Sequence, residues 1–171
     1  PEAQQATWNI VGLGDMAVRE ARERVKTALR LSGLDLSQKR VVVNLAPADM
    51  RKEGSHLDLP MALAALMATG RVDNQRRGYA AAGELSLDGQ LQPLAGALPL
   101  AIGAREQNRE GILLPAANAA EAAHIEGIRV IPVRTLREAA DYMHGDNDIE
   151  PAKPSDVLSD KQWDDLADVK G

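Results

Sequence analysis

The sequence contains no cysteine and no phenylalanine, and aromatic residues make up 2% of its 171 positions. Without cysteine there is no disulfide scaffold, no thiolate zinc site and no cysteine nucleophile. With so few aromatics, the stacking platforms used by single-strand nucleic-acid binders are missing. A core must then be built from Leu, Ile, Val, Met and Ala. Long apolar runs are also missing, since charges or prolines interrupt every stretch well before 18 residues, so no membrane span is expected. The N-terminus lacks the basic-then-apolar layout of a signal peptide. What is present, 44% apolar and 26% charged residues, is globular composition for one domain and a tail.

The charge is unevenly placed. Residues 145–171 hold eight acids against three lysines, which accounts for the entire net charge of −5. Residues 1–144 are neutral, so bulk charge does not mark the body as a nucleic-acid binder. The tail, with Pro151 and Pro154, reads as a solvated acidic linker.

Along the body, strands and helices alternate. Residues 8–11 form a short strand, and Asp15 caps a helix over 16–31 with Val18, Ala21, Val25, Ala28 and Leu29 on one face. The β-branched run at 40–46 predicts a central strand buried on both faces, so Val42→Asp is expected to cost several kcal/mol. Asp58 is placed to cap a buried helix to about Thr69, with Pro60 in its first turn. Residues 78–92 read as a hairpin turning at Asp88-Gly89, with Ala80 to Leu87 as its first arm. Helices follow over 96–108, from an Asn118 cap to Ile125, and from a Thr135 cap to Met143, with strands at 111–114 and 130–133. The class is α/β (α+β), a two-layer sandwich of a mixed sheet with helices.

Three sequence features invite chemistry. Gly12-Leu13-Gly14-Asp15-Met16-Ala17 matches a dinucleotide-binding turn, but Asp15 puts a carboxylate where a pyrophosphate must bind. A tight turn with a helix cap accounts for the same residues. Ser55 and His56 lie beside Asp49, Glu53 and Asp58 in a polar loop, yet adjacent side chains seldom meet as nucleophile and base. Arg51-Lys52 and Arg76-Arg77 are basic pairs, either solvated surface or phosphate contacts. No G-x-x-x-x-G-K-[ST] motif occurs, and no histidine spacing suits a metal.

Three stretches together resemble a family. They are the run from Ile10 to Val25, the run from Val43 to Ser55 continued by Asp58 to Leu63, and Gly83-Glu84-Leu85-Ser86-Leu87-Asp88-Gly89. In order and spacing they are similar to the N-terminal domain of the YifB/ComM proteins, magnesium-chelatase-like bacterial AAA+ ATPases. The family usually has proline where this chain has Gly14, and an upstream β-hairpin, so one or two edge strands are expected to precede this chain. Asp164 to Gly171 resembles the lead-in to an AAA+ module. The resemblance implies a Lon-protease-like domain over 1–144 and an acidic linker over 145–171 leading into the ATPase. It also implies a cytoplasmic hexameric ring, ATP and Mg2+ in the absent module with no cofactor in this chain, possible DNA contact, and no membrane. The whole protein would be a DNA-remodelling or branch-migration motor.

The implied fold is that of the Lon proteolytic domain, whose serine sits in a Lys-Asp-Gly-Pro-Ser-Ala-Gly loop. Here the matching run is Lys52-Glu53-Gly54-Ser55-His56-Leu57-Asp58, which puts His56 at the nucleophile position and Ser55 where Lon has proline. The catalytic lysine of Lon follows a Pro-x-Gly-Gly-x stretch, and here Pro93 to Ala97 is followed by Leu98. Leucine cannot serve as the base, so the fragment is expected to lack peptidase activity. The alternative is a serine peptidase of Lon-like fold using Ser55. Nucleic-acid contact, if this domain makes it, falls to Arg51, Lys52, Arg76 and Arg77.

Overall fold

A computed structural model describes residues 7–11, 16–46 and 55–155. In chain order the elements are β1 (Trp8–Val11), α1 (Met16–Leu31), β2 (Val41–Asn44), α2 (Asp58–Ala68), β3 (Tyr79–Ala81), β4 (Glu84–Leu85), β5 (Leu91–Gln92), α3 (Ala97–Glu106), β6 (Gly111–Pro115), α4 (Ala116–Ala122), β7 (Arg129–Val133) and α5 (Leu136–His144). A 3-10 turn, Ser55–Leu57, leads into α2. Parallel pairs β1–β2 and β3–β6–β7 coexist with the antiparallel pair β4–β5. With five helices packed on them, this is the expected mixed α/β class, consistent with an α+β sandwich.

The strand buried on both faces is β6, not β2. All five residues of Gly111-Ile-Leu-Leu-Pro115 are buried, between β3 and β7. Alternation along the strand divides its side chains between two clusters. Leu113 joins one formed with α1, α2 and α5, whereas Ile112 and Leu114 join Ala97, Ala101 and Ala119 from α3 and α4. The parallel order β3–β6–β7 follows the chain, and the connecting helices α3 and α4 pack together on one side of it. Truncating a side chain as buried as Leu113 to alanine costs about 2–5 kcal/mol.

β2 corrects an expectation. Among the described residues it pairs with β1 alone, in the register Trp8–Val41 to Val11–Asn44. Val41 is buried, but Val42 is 57% exposed. A β-branched run reports preference for extended backbone, which an open-faced strand satisfies as well as a central one. The large cost expected for Val42→Asp therefore does not apply.

α1 buries Ala21, Val25, Ala28 and Leu29, largely against α2, and closes at Gly33 through bonds from Gly33 N–H to Arg30 O and Leu34 N–H to Leu29 O. α5 starts as expected, with the Thr135 hydroxyl accepting from Glu138 N–H at 3.1 Å. Two other expected features differ. α4 begins at Ala116, and Asn118 lies inside it, its amide exchanging two bonds with the backbone of Leu94 at 2.8 and 2.9 Å. The turn at Asp88-Gly89 is present, but the first hairpin arm is split. Tyr79–Ala81 pairs with β6, and only Glu84–Leu85 pairs with β5.

The start of the tail is not a solvated linker. Ala152 N–H donates to Val130 O at 2.8 Å, and Ile149 packs on the larger cluster. Arg76 holds the same segment through Asn147 O at 3.4 Å and Asp148 Oδ1 at 2.6 Å. The few apolar residues in this acidic stretch, Ile149 and Ala152, are the ones that pack on the body.

Candidate functional site

The three family-like stretches converge on one carboxylate. Asp58 was expected to cap α2, but it is the first residue of that helix and fully buried, and it makes no cap bond. Its Oδ2 accepts from Arg24 Nε at 3.0 Å and its Oδ1 from Arg24 Nη2 at 3.2 Å. Leu85 N–H, from β4, also donates to Oδ2 at 3.0 Å. One side chain thus joins α1, α2 and the β4–β5 hairpin. Arg24 is the one charged residue directly between Ala21 and Ala28 at helical spacing, on the buried stripe of α1. That placement was a legible sign of a buried partner.

Burial pushes the Asp58 carboxyl above its ordinary value, while the Arg24 fork and the Leu85 N–H oppose that rise. The guanidinium of Arg24 is raised in turn, mainly by its bond to Asp58. The bidentate geometry is the arrangement that best offsets the desolvation of a buried charge.

The hairpin is shaped to reach this pair. Gly83 N–H donates to His56 O and Gly83 O accepts from Leu59 N–H, both at 3.0 Å. A Cβ on Gly83 would lie 2.6 Å from Leu91 Cδ2, so a larger residue would require the Leu91 side chain on the other arm of the hairpin to shift. At the tip, Gly89 adopts φ +86° and its carbonyl accepts from Leu136 N–H at 2.8 Å. The Ser86 hydroxyl donates to Asp88, which holds the Asp88 carboxyl below its usual value. Each polar residue of Gly83-Glu-Leu-Ser-Leu-Asp-Gly89 except Glu84 thus has an assigned local bond.

Ser55 and His56 lie in the half-buried 3-10 turn, and no side-chain hydrogen bond joins either to another described residue. Leu98 lies in the first turn of α3, which packs on α4 and β6, whereas the Ser55–Leu57 turn packs on α1, α2 and β4. The position expected to hold a lysine base and the Ser55 turn therefore pack against different elements. No group of three metal-ligating side chains occurs among the described residues. Arg51, Lys52 and the Gly12–Asp15 turn lie outside the described residues.

Arg76 and Arg77 separate. Arg77 is exposed. Arg76 lies over the Tyr142 ring, its Cζ 4.2 Å from the centroid, and its Nε donates to Tyr142 O at 3.3 Å. Tyr79 meets Tyr142 edge-on at 5.9 Å. With its Asn147 and Asp148 bonds, Arg76 is a structural clasp. The sequence pattern hid this because its partners are 66 to 72 residues away.

Residues 2–118 match the family model described as subunit ChlI of Mg-chelatase, and the chain belongs to that family. It is 36% identical over 163 residues to the uncharacterised protein YifB of Escherichia coli K12, covering 95% of this chain and 32% of that protein. It is 34% identical over 170 residues to competence protein ComM of Haemophilus influenzae, covering 96% and 33%. A weaker likeness, 30% over 122 residues, is to Lon protease 2 of Bacillus subtilis, covering 70% and 21%. The chain spans about a third of the length of the YifB and ComM relatives it matches. Among the described residues no helix is long and apolar enough to cross a membrane.

Proposed function

We propose that this chain is the non-catalytic N-terminal domain of a cytoplasmic YifB/ComM-type AAA+ ATPase. It serves ring assembly and substrate contact in a motor that remodels DNA. The observation that carries this reading is the tie between Arg24, Asp58, Gly83 and Leu85. The segment where a Lon-type enzyme keeps its nucleophile here anchors three elements, with His56 and Leu98 in the reactive positions. ATP and Mg2+ do not fit these residues, because no phosphate-cradling G-x-x-x-x-G-K-[ST] loop is present, so they belong to an adjoining ATPase module. That module and further copies of the protein, in a hexameric ring, are the proposed partners. DNA contact falls to Arg77, with Arg51 and Lys52, while Arg76 Nε and Nη2 are already engaged with Tyr142, Asn147 and Asp148.

The test has two arms. The 171-residue chain should neither hydrolyse ATP nor label with a fluorophosphonate, whereas the product of the whole gene should hydrolyse ATP. The likeness to Lon protease 2 favours one competing reading, a serine peptidase using Ser55. Fluorophosphonate labelling lost in Ser55→Ala would establish that reading and remove ours.

A further inference from the structure

We propose that the second half of α1, the connection 35–39 and Arg71 form a docking face for the phosphate backbone of nucleic acid. Two clefts adjoin there, sharing Asp35, Leu36 and Ser37. The larger, about 280 Å³, is edged by Lys26 and Arg30, and the other by Lys39 and Arg71. Four cations from three separated segments thus surround one short connection. None of the four has a carboxylate within 4.0 Å among the described residues. Of the two acids lining the clefts, Glu23 is bonded to Arg22 at 3.0 Å, which leaves Asp35 alone against four positive charges. A neutral body therefore carries a local excess of positive charge that its sequence total conceals.

The surroundings say what such a face reads. Trp8 lines the larger cleft but is 5% exposed, and neither Tyr79 nor Tyr142 is exposed. Base stacking has no platform here, so contact is with phosphates and independent of sequence. Ser37, exposed between the two clefts, supplies a hydroxyl donor to a phosphate oxygen. This face is distinct from Arg51, Lys52 and Arg77. The choice of nucleic acid over other polyanions rests on the function proposed above.

The experiment is binding of the 171-residue chain to a labelled DNA duplex across a salt series, by fluorescence anisotropy. Each phosphate contact adds about −0.9 to the slope of log affinity against log salt. The variant Lys26→Ala/Arg30→Ala/Lys39→Ala/Arg71→Ala should flatten the slope by about 3 to 4 and lose about tenfold or more in affinity at low salt. None of the four side chains is in the core, and a thermal melt checks that the fold persists. Should the quadruple variant melt early, Arg30→Ala and Arg71→Ala singly should each flatten the slope by about 1. If the quadruple variant binds like the wild type while Arg51→Ala/Lys52→Ala/Arg77→Ala abolishes binding, this face is wrong and the proposed DNA contact stands. If the wild type ignores the duplex at every salt concentration, or instead binds phosphatidylserine vesicles, both are wrong.

Discussion

Arg24 and Arg76 each reach across the fold to hold a distant segment, and they do so under opposite conditions. Arg24 grips a carboxylate with no exposed surface, in a pair that also receives a backbone N–H. Arg76 lies on a tyrosine ring and grips Asp148, whose side chain is 92% exposed. In the first case the fully buried Asp58 would be left charged and dry without Arg24, and Arg24, only 23% exposed, would lose its one close carboxylate among the described residues without Asp58. In the second, water replaces whatever is removed. The first pair unites the elements of the body, and the second fastens an arm to it. Similar bond lengths therefore carry different energies.

The sharpest way to break this comparison is Asp58→Ala. It strands Arg24 and leaves Leu85 N–H unsatisfied, and should lower stability by about 3–5 kcal/mol in urea denaturation. Asp58→Asn, which keeps an acceptor for Leu85, should lose clearly less. Equal losses would mean that the charge, not the bonding network, holds the hairpin. Arg76→Ala should cost about 1–2 kcal/mol, through the lost ring contact and backbone bonds. It should also speed amide exchange at Ala152, whose N–H is bonded to Val130 O. Fast exchange at Ala152 in the wild type would show that the arm is not docked.

A pH series probes the aromatic side of the clasp. Burial first, and then the neighbouring Tyr79 hydroxyl, push the Tyr142 hydroxyl up to about 12. The folded state therefore holds this proton more tightly than the unfolded one. Its contribution is fully present below the ordinary tyrosine value near 10, and is lost as pH rises through about 12. Absorbance at 295 nm should show Tyr142 ionising near 12, and a Tyr142 ionising near 10 would contradict its burial. The smallest effects belong to open surface. Val42→Asp should cost about 1 kcal/mol or less. Asp148→Asn should cost about 0.5 kcal/mol or less, and a larger loss would place Asp148 with the buried pair.

Local signals in the sequence located most of the elements. The apolar stripe of α1, the Thr135 cap and the Asp88-Gly89 turn are each built from residues whose successive members lie within about one turn, so neighbouring residues suffice to read them. Asn118 and Asp58 look like caps for the same local reason, but each found a partner 24 to 34 residues away. Val42 lies in a run that suits a strand, yet burial depends on how many strands and helices flank it. The Arg24–Asp58 pair was visible only as a misplaced charge on an apolar stripe.

Residue order by itself determined most of the helices, the turns and the absence of thiol chemistry, because each depends on residue type and short-range spacing. Tertiary structure decided which carboxylate is buried, which strand is central, and that Arg76 holds the arm at 146–152. It also decided that Lys26, Arg30, Lys39 and Arg71 share one face. Burial and charge clustering are set by what lies across space from a residue. In a chain whose body is neutral overall, only folding can turn scattered charges into a field.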